Sequence, residues 1–266
     1  MLKLILFHSE GYPHDNGLNL TRQKTMMIDK YKNEFDEIIV YTPNILKNLG
    51  YDNLCNEYKE HGVIIANIPQ KNIGFSKWKP LICILELSKS SKDDIIVYHD
   101  VDCLKYPVYL QFVNFKNNIN NILDRCNYDF FFPQEHGIKL EKYCKNTVLC
   151  ELGNNSNFNR NFSQVCANFI ILKNTNITMD MLNEWLNCCK TERWINGVSY
   201  IPESKRFKWH CPEQGILNNI LANWIKRKTH NMSEHYPFIY LNNRNINDIR
   251  NITDYKYLTF IVDRCL

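Results

Sequence analysis

The run Asp93-Asp94-Ile95-Ile96-Val97-Tyr98-His99-Asp100-Val101-Asp102 carries apolar and aromatic residues straight into two carboxylates spaced by a single residue. An apolar run of this length reads as a buried parallel strand. On an extended strand residues i and i+2 share a side, so Asp100 and Asp102 face one ligand together. In open α/β sheets ligands collect beyond the carboxyl ends of the strands. Two convergent carboxylates there suit a hard divalent cation held through oxygen, with phosphate oxygens completing the shell. The bland alternative is a solvated acidic pair opening the next helix. The cleanness of the strand, and the helix expected before it after Pro80, weigh against that alternative.

Two further clusters carry candidate chemistry. In Gly74-Phe75-Ser76-Lys77-Trp78-Lys79-Pro80, Lys79 lies immediately before a helix N-terminus, and a helix start with an ammonium beside it can hold phosphate. Trp78 reads first as an anchor of that helix to the core. In Trp209-His210-Cys211-Pro212-Glu213-Gln214, Pro212 suits the first helical position, which puts Glu213 and Gln214 in the first turn. Acids there complement the helix dipole, so Glu213 has an ordinary explanation beside a catalytic one. His210 is either a metal ligand or a packed loop residue.

The elements that must position these residues are legible from periodicity and turn signals. Strands are expected at 2–8, 35–42, 63–68, 95–99, 128–132 and 164–173, and helices at 19–32, 80–89, 108–125, 179–189 and 212–225. A further strand-like stretch is Phe238 to Leu241, and Gly153-Asn154-Asn155-Ser156 reads as an exposed loop. Ile216, Leu217, Ile220, Leu221, Trp224 and Ile225 give the helix from Pro212 an apolar stripe. Strands and helices alternating in the first half imply an α/β fold with a mostly parallel sheet covered on both faces. With 266 residues, 44% of them hydrophobic, the chain has enough apolar material for one large core.

A net charge of +4 without a basic stripe argues against nucleic acid as a partner. The apolar stretch at the start is too short for a signal peptide or a membrane span, and nothing later approaches one. Eleven cysteines without a C-x-x-C pair fit reduced thiols, so the expected location is cytoplasmic, in a host cell's cytoplasm if the chain is viral.

Four blocks in order resemble the GT-A fold glycosyltransferases, of the small type found in bacterial surface-polysaccharide clusters and large DNA viruses. Gly74 to Pro80 resembles that family's G-x-W-x-W-K-P block, and Val97 to Asp102 its D-x-D strand. Gln164-Val165-Cys166-Ala167-Asn168-Phe169 resembles its Q-x-x-A-x-F strand, followed by the helix of Glu184-Trp185-Leu186. His210 to Gln214 resembles its H-R-H-D-Q block, with Pro212 and Glu213 where His and Asp are usual.

The resemblance implies a single GT-A (Rossmann-like) domain over residues 1–266, with a mostly parallel sheet flanked by helices. About 1–105 would form the nucleotide-binding half, and about 106–266 the acceptor and sugar half. It implies a nucleotide-sugar donor, a UDP-sugar above all, a glycan or glycoprotein acceptor, and Mn²⁺ or Mg²⁺. The metal ligands expected on this basis are Asp102, Asp100 and His210. Donor contacts are expected from Asp100, Lys79, Trp78, His99 and Asn168, with Ala167 beside Asn168 on the floor. Glu213 and Gln214 fall on the catalytic side, Glu213 as general base if the reaction inverts the anomeric centre. Two other readings compete. One is an HD-type metal phosphohydrolase built on His99-Asp100, and the other a sugar-binding module of the same fold without activity.

Overall fold

The computed structural model describes residues 1–8, 20–51, 64–65, 68–69, 76–101, 119, 123, 129–132 and 134–229. Its centre is a five-stranded sheet of β1 (Leu2–Phe7), β2 (Glu37–Tyr41), β5 (Ile95–Asp100), β6 (Phe130–Phe131) and β9 (Phe169–Lys173), in the order β2-β1-β5-β9-β6. β1 pairs in parallel with both β2 and β5, and β9 runs antiparallel to β5 and β6, so β9 alone opposes the common direction. The fold is therefore α/β with a mixed, mostly parallel sheet, compatible with a Rossmann-like arrangement.

Every residue of β1 is buried, and so is β5 up to His99, which is what continuous apolar runs covered on both faces produce. Alternation splits the core in two. Ile5, Phe7, Ile96 and Tyr98 face a layer built by α3 (Trp78–Ser88), α6 (Asn176–Cys189) and α8 (Pro212–Thr229). Leu4, Leu6, Val97 and Val101 face the opposite layer, with Met27 and Tyr31 of α1 (Leu20–Tyr31).

The run 63–68 is not a strand of the central sheet. β3 (Ile64–Ile65) and β4 (Ile68–Pro69) pair antiparallel with each other, and Pro69, lacking an N–H, is unsuited to a central ladder. Pro43 opens the short helix α2 (Pro43–Asn48), capped by Thr42, whose Oγ1 accepts from Ile45 N at 3.2 Å. The expected strand at 164–173 is two: β8 (Ser163–Val165) pairs with β7 (Gln134–Lys139), and β9 enters the central sheet. Of the expected helix at 108–125 only Ile119 and Leu123 are described, both helical and buried. The expected strand at 238–241 lies outside the described residues.

α8 departs from the amphipathic reading. Besides its apolar stripe it buries Asn218 and Asn219 completely, so it is covered on nearly every side. The buried amides are paired, as burial requires. Asn159, from α5 (Asn157–Asn161), donates through Nδ2 to Asn219 Oδ1 and to Asn223 Oδ1, each at 3.1 Å. Gly153 is also buried, against the expectation of an exposed loop. A Cβ there would lie 2.5 Å from Asn219 Oδ1 and 2.7 Å from Leu149 O, so only glycine permits this approach. Asn154 and Asn155 form the exposed part of that turn, both with φ of 52°.

Candidate functional site

The parallel strands end side by side, with Phe7 of β1 opposite both Tyr41 of β2 and Asp100 of β5. β9 runs the other way and therefore begins at this edge. Its preceding residue, Asn168, accepts the Asp100 backbone N–H at 2.9 Å. The break between β8 and β9 thus sits directly beside the acidic strand end.

α8 is docked against that break through side chains one helical turn apart. Gln214 Oε1 accepts from Ala167 N at 3.0 Å. Asn218 clasps Val165, its Oδ1 accepting from Val165 N at 2.7 Å and its Nδ2 donating to Val165 O at 3.0 Å. Trp185 Nε1 of α6 donates to Glu213 O at 2.9 Å, which fixes the first turn of α8 from the other side. The segment before α8 is held by buried Lys145, whose Nζ donates to Asn196 O (2.6 Å), Asn196 Oδ1 (2.9 Å) and Val198 O (3.0 Å). Three acceptors match the three donors of an ammonium.

At the centre lies Lys79. Its Nζ is 3.0 Å from Glu213 Oε1 and 3.4 Å from Asp100 Oδ1. Tyr98, two residues before Asp100 on the same side of β5, donates its hydroxyl to Asp100 Oδ1. The ammonium lies 5.9 Å from the Trp78 ring centroid and 5.8 Å from that of Tyr98. Burial alone would lower the Lys79 pKa, but the carboxylates of Asp100 and Glu213 outweigh it and hold the group above its ordinary value. Two carboxylates against one ammonium leave one negative charge in this buried group.

Asp100, Lys79, Trp78, Asn168, Glu213 and Gln214 are therefore neighbours, though they come from four separate parts of the chain. Their roles differ in detail from those expected. Trp78 is a core anchor, stacked on Phe7 with ring centroids 3.5 Å apart and planes 13° from parallel. Lys79 serves carboxylates rather than standing free for a diphosphate. Gln214 commits its carbonyl oxygen to the β8–β9 link, which is a positioning role.

Two expected ligands are displaced. His99 lies on the other face of β5, its ring edge-on to Phe169 at 5.7 Å and its Nδ1 bonded to the backbone carbonyl of Asp100. Adjacent strand residues point apart, so His99 and the Asp100 carboxylate do not converge on one ion. His210 accepts Lys145 N–H at Nδ1 (3.3 Å) and bonds Trp194 O through Nε2 (3.0 Å). Nδ1 has no lone pair left for a metal, and Nε2 must carry the proton it donates. Burial, with the nearby Lys145 ammonium, pushes the His210 pKa down to about 3, so the ring is neutral. Asp102, Gly74 and Phe75 lie outside the described residues.

Among the described residues no three His, Cys, Asp or Glu side chains gather as a metal-holding group. A carboxylate and an amide oxygen are nonetheless donors of the type a hard cation takes. Asp100 keeps a quarter of its side chain exposed, and Asn168, bonded to the Asp100 backbone, has its Oδ1 buried without a hydrogen-bond partner. A buried amide oxygen left unpaired costs free energy unless a ligand or cation takes it up. Tyr98 and the Lys79–Glu213 pair escaped sequence reasoning. Period-two alternation backward from Asp100 was the available signal for Tyr98.

No family model, curated protein or solved structure matches this chain. Among the described residues no helix is long and apolar enough to cross a membrane.

Proposed function

We propose that this chain is a metal-dependent glycosyltransferase with a GT-A arrangement, moving a sugar from a nucleotide-diphosphate sugar, a UDP-sugar in the first place, to a glycan or protein-linked glycan. One observation carries the reading. Lys79 joins Asp100 and Glu213, from two of the four sequence blocks, at 3.4 and 3.0 Å at the carboxyl edge of the parallel strands of an α/β sheet. That edge is where open α/β sheets usually bind their ligands.

Mn²⁺ or Mg²⁺, if held there, would neutralise the charge that develops on the leaving diphosphate. Asp100 is its expected holder, with Asp102 beyond it in sequence and the residue Asn168 bonded to the Asp100 backbone. The chain's own residues do the rest. The Lys79 ammonium fixes the Glu213 carboxylate, and the Trp185 bond to Glu213 O fixes its backbone. On an inverting course Glu213 takes the proton of the acceptor hydroxyl, and on a retaining course it binds a sugar hydroxyl. The buried Trp78–Phe7 stack puts apolar surface beside the Lys79 ammonium, which strengthens the charge interactions there.

The HD-type alternative draws no support from His99, which faces away from the Asp100 carboxylate. An inactive module of the same fold would bind nucleotide without turning it over. Thermal unfolding with a panel of nucleotide sugars, with and without Mn²⁺, together with mass spectrometry of donor breakdown, tests the proposal. Ligands that bind the folded state raise its melting temperature by mass action. Metal-dependent stabilisation by one donor, with release of its nucleotide diphosphate, is the expected result. No stabilisation by any donor at millimolar concentration removes the proposal.

A further inference from the structure

Lys79 occupies the carboxylate that the proposed function requires for a cation. Its two partnerships are unequal. Glu213 is the closer partner, at 3.0 Å against 3.4 and 3.5 Å for the two Asp100 oxygens. Glu213 is also the more buried, with 9% of its side chain exposed against 25% for Asp100. If one partner leaves, it is Asp100, which solvent already reaches. Lys79 then keeps Glu213 and the two aromatic rings that flank it at 5.8 and 5.9 Å, both favourable neighbours for an ammonium.

A divalent cation taken up by Asp100 must displace Lys79 from that carboxylate or accept the ammonium as a neighbour. Either way the positive charge of Lys79 opposes it, strongly so in a buried setting. A diphosphate arriving with the cation brings negative charge that offsets this opposition. Resting on the reading of Asp100 as a cation ligand, we propose that Lys79 is a shared counter-ion that makes cation binding conditional on the nucleotide diphosphate, releasing Asp100 to the cation while retaining Glu213. The two ligands then bind synergistically, and the bare cation binds poorly. The same ammonium links donor occupancy to the acceptor-side carboxylate, since after release Glu213 is its remaining carboxylate among the described residues.

The test measures Mn²⁺ affinity by electron paramagnetic resonance and titration calorimetry, without nucleotide and with saturating UDP. Native protein is compared with Lys79→Met and with Lys79→Met/Glu213→Gln. The double variant keeps the group's single negative charge and leaves only the quarter-exposed Asp100 carboxylate without its ammonium partner, so it remains informative where the single variant fails to fold. The expected result is nucleotide-free Mn²⁺ affinity at least tenfold higher in the variants, with the enhancement by UDP reduced several-fold. A role in folding alone would not raise metal affinity. Variants that bind Mn²⁺ no more tightly than native protein, while native protein binds Mn²⁺ with UDP, overturn the counter-ion role alone. Native protein that binds Mn²⁺ neither with nor without UDP overturns the underlying metal reading as well.

Discussion

Lys79→Met in the metal-free protein isolates the electrostatics of the site. Methionine follows the lysine stem closely, so the apolar contacts of the stem survive and no large cavity forms. What is lost is an ammonium with two carboxylate partners. Removing one member of a buried pair costs about 3–5 kcal/mol, because the other charge is left unpaired. Asp100, a quarter exposed, is partly relieved by water and contributes little of this. Glu213, whose side chain is 9% exposed, carries most of the penalty. We therefore expect a loss near the low end, about 3 kcal/mol, or roughly 6–12 °C in melting temperature for a chain of this size. Adding Glu213→Gln replaces the unpaired charge by a neutral amide and should restore about 2 kcal/mol. The double variant is then more stable than the single one despite carrying one more substitution. Urea unfolding at pH 7.5 without divalent cations, followed by circular dichroism and tryptophan fluorescence, measures each corner of this cycle. A single variant within 1 kcal/mol of the parent on the scale expected for exposed pairs, or a double variant less stable than the single, refutes the buried-triad argument.

Glu213→Gln alone should fold, since Lys79 keeps Asp100, but should transfer sugar about 10²–10⁴-fold more slowly if Glu213 acts as general base; single-turnover kinetics with a cognate donor checks this, and the parent rate would remove the assignment. His210 makes stability fall on acidification. Its folded pKa of about 3 lies below the ordinary value, so the unfolded chain binds the extra proton as the pH drops below about 6.5. Stability present at pH 7.5 should decline by about 2 kcal/mol by pH 5 from this group, and His210→Gln should flatten that share of the urea-midpoint profile. Gly153→Ala forces a methyl group to within 2.5 Å of Asn219 Oδ1 and 2.7 Å of the Leu149 carbonyl. The expected cost is about 1–3 kcal/mol from overpacking, and an unchanged urea midpoint would show that the turn can yield.

The strand end was legible because period two is a local property. Tyr98 and Asp100 share a side whatever else the chain does, and the apolar run before them states its own burial. Helix starts were legible for a similar reason, since Pro80 and Pro212 suit a first turn wherever it packs. Partnerships were not. Lys79 and Glu213 are more than a hundred positions apart, and nothing local to Lys79 says whether its ammonium meets a phosphate or a carboxylate. His210 is decided by a backbone N–H of Lys145 and a carbonyl of Trp194, groups that every residue possesses and that no motif records. The polar positions of α8 misled for the opposite reason. Asn218 and Asn219 complete an amphipathic pattern in sequence, yet both are buried, because a paired amide can be enclosed as readily as an isoleucine.

Those buried amides explain how residues from four distant segments keep a common register. Apolar packing is non-directional, so it could hold α8 against the sheet while allowing it to slide or turn. The Asn218 clasp on Val165 and the Gln214 bond to Ala167 do not allow this, because each fixes one helical turn against one residue pair of the β8–β9 link. That link in turn holds Asn168 against the Asp100 backbone. Glu213, one residue before Gln214, is thereby indexed to Asp100 through an unbroken chain of hydrogen bonds, and Lys79 closes the circuit by touching both carboxylates. Rotation of α8 by a single residue, about 100°, would carry Glu213 off Lys79 and Asn218 off Val165 together. The polar face of this helix therefore acts as a ruler for the site, and the cost of burying it is offset by the positional precision it confers.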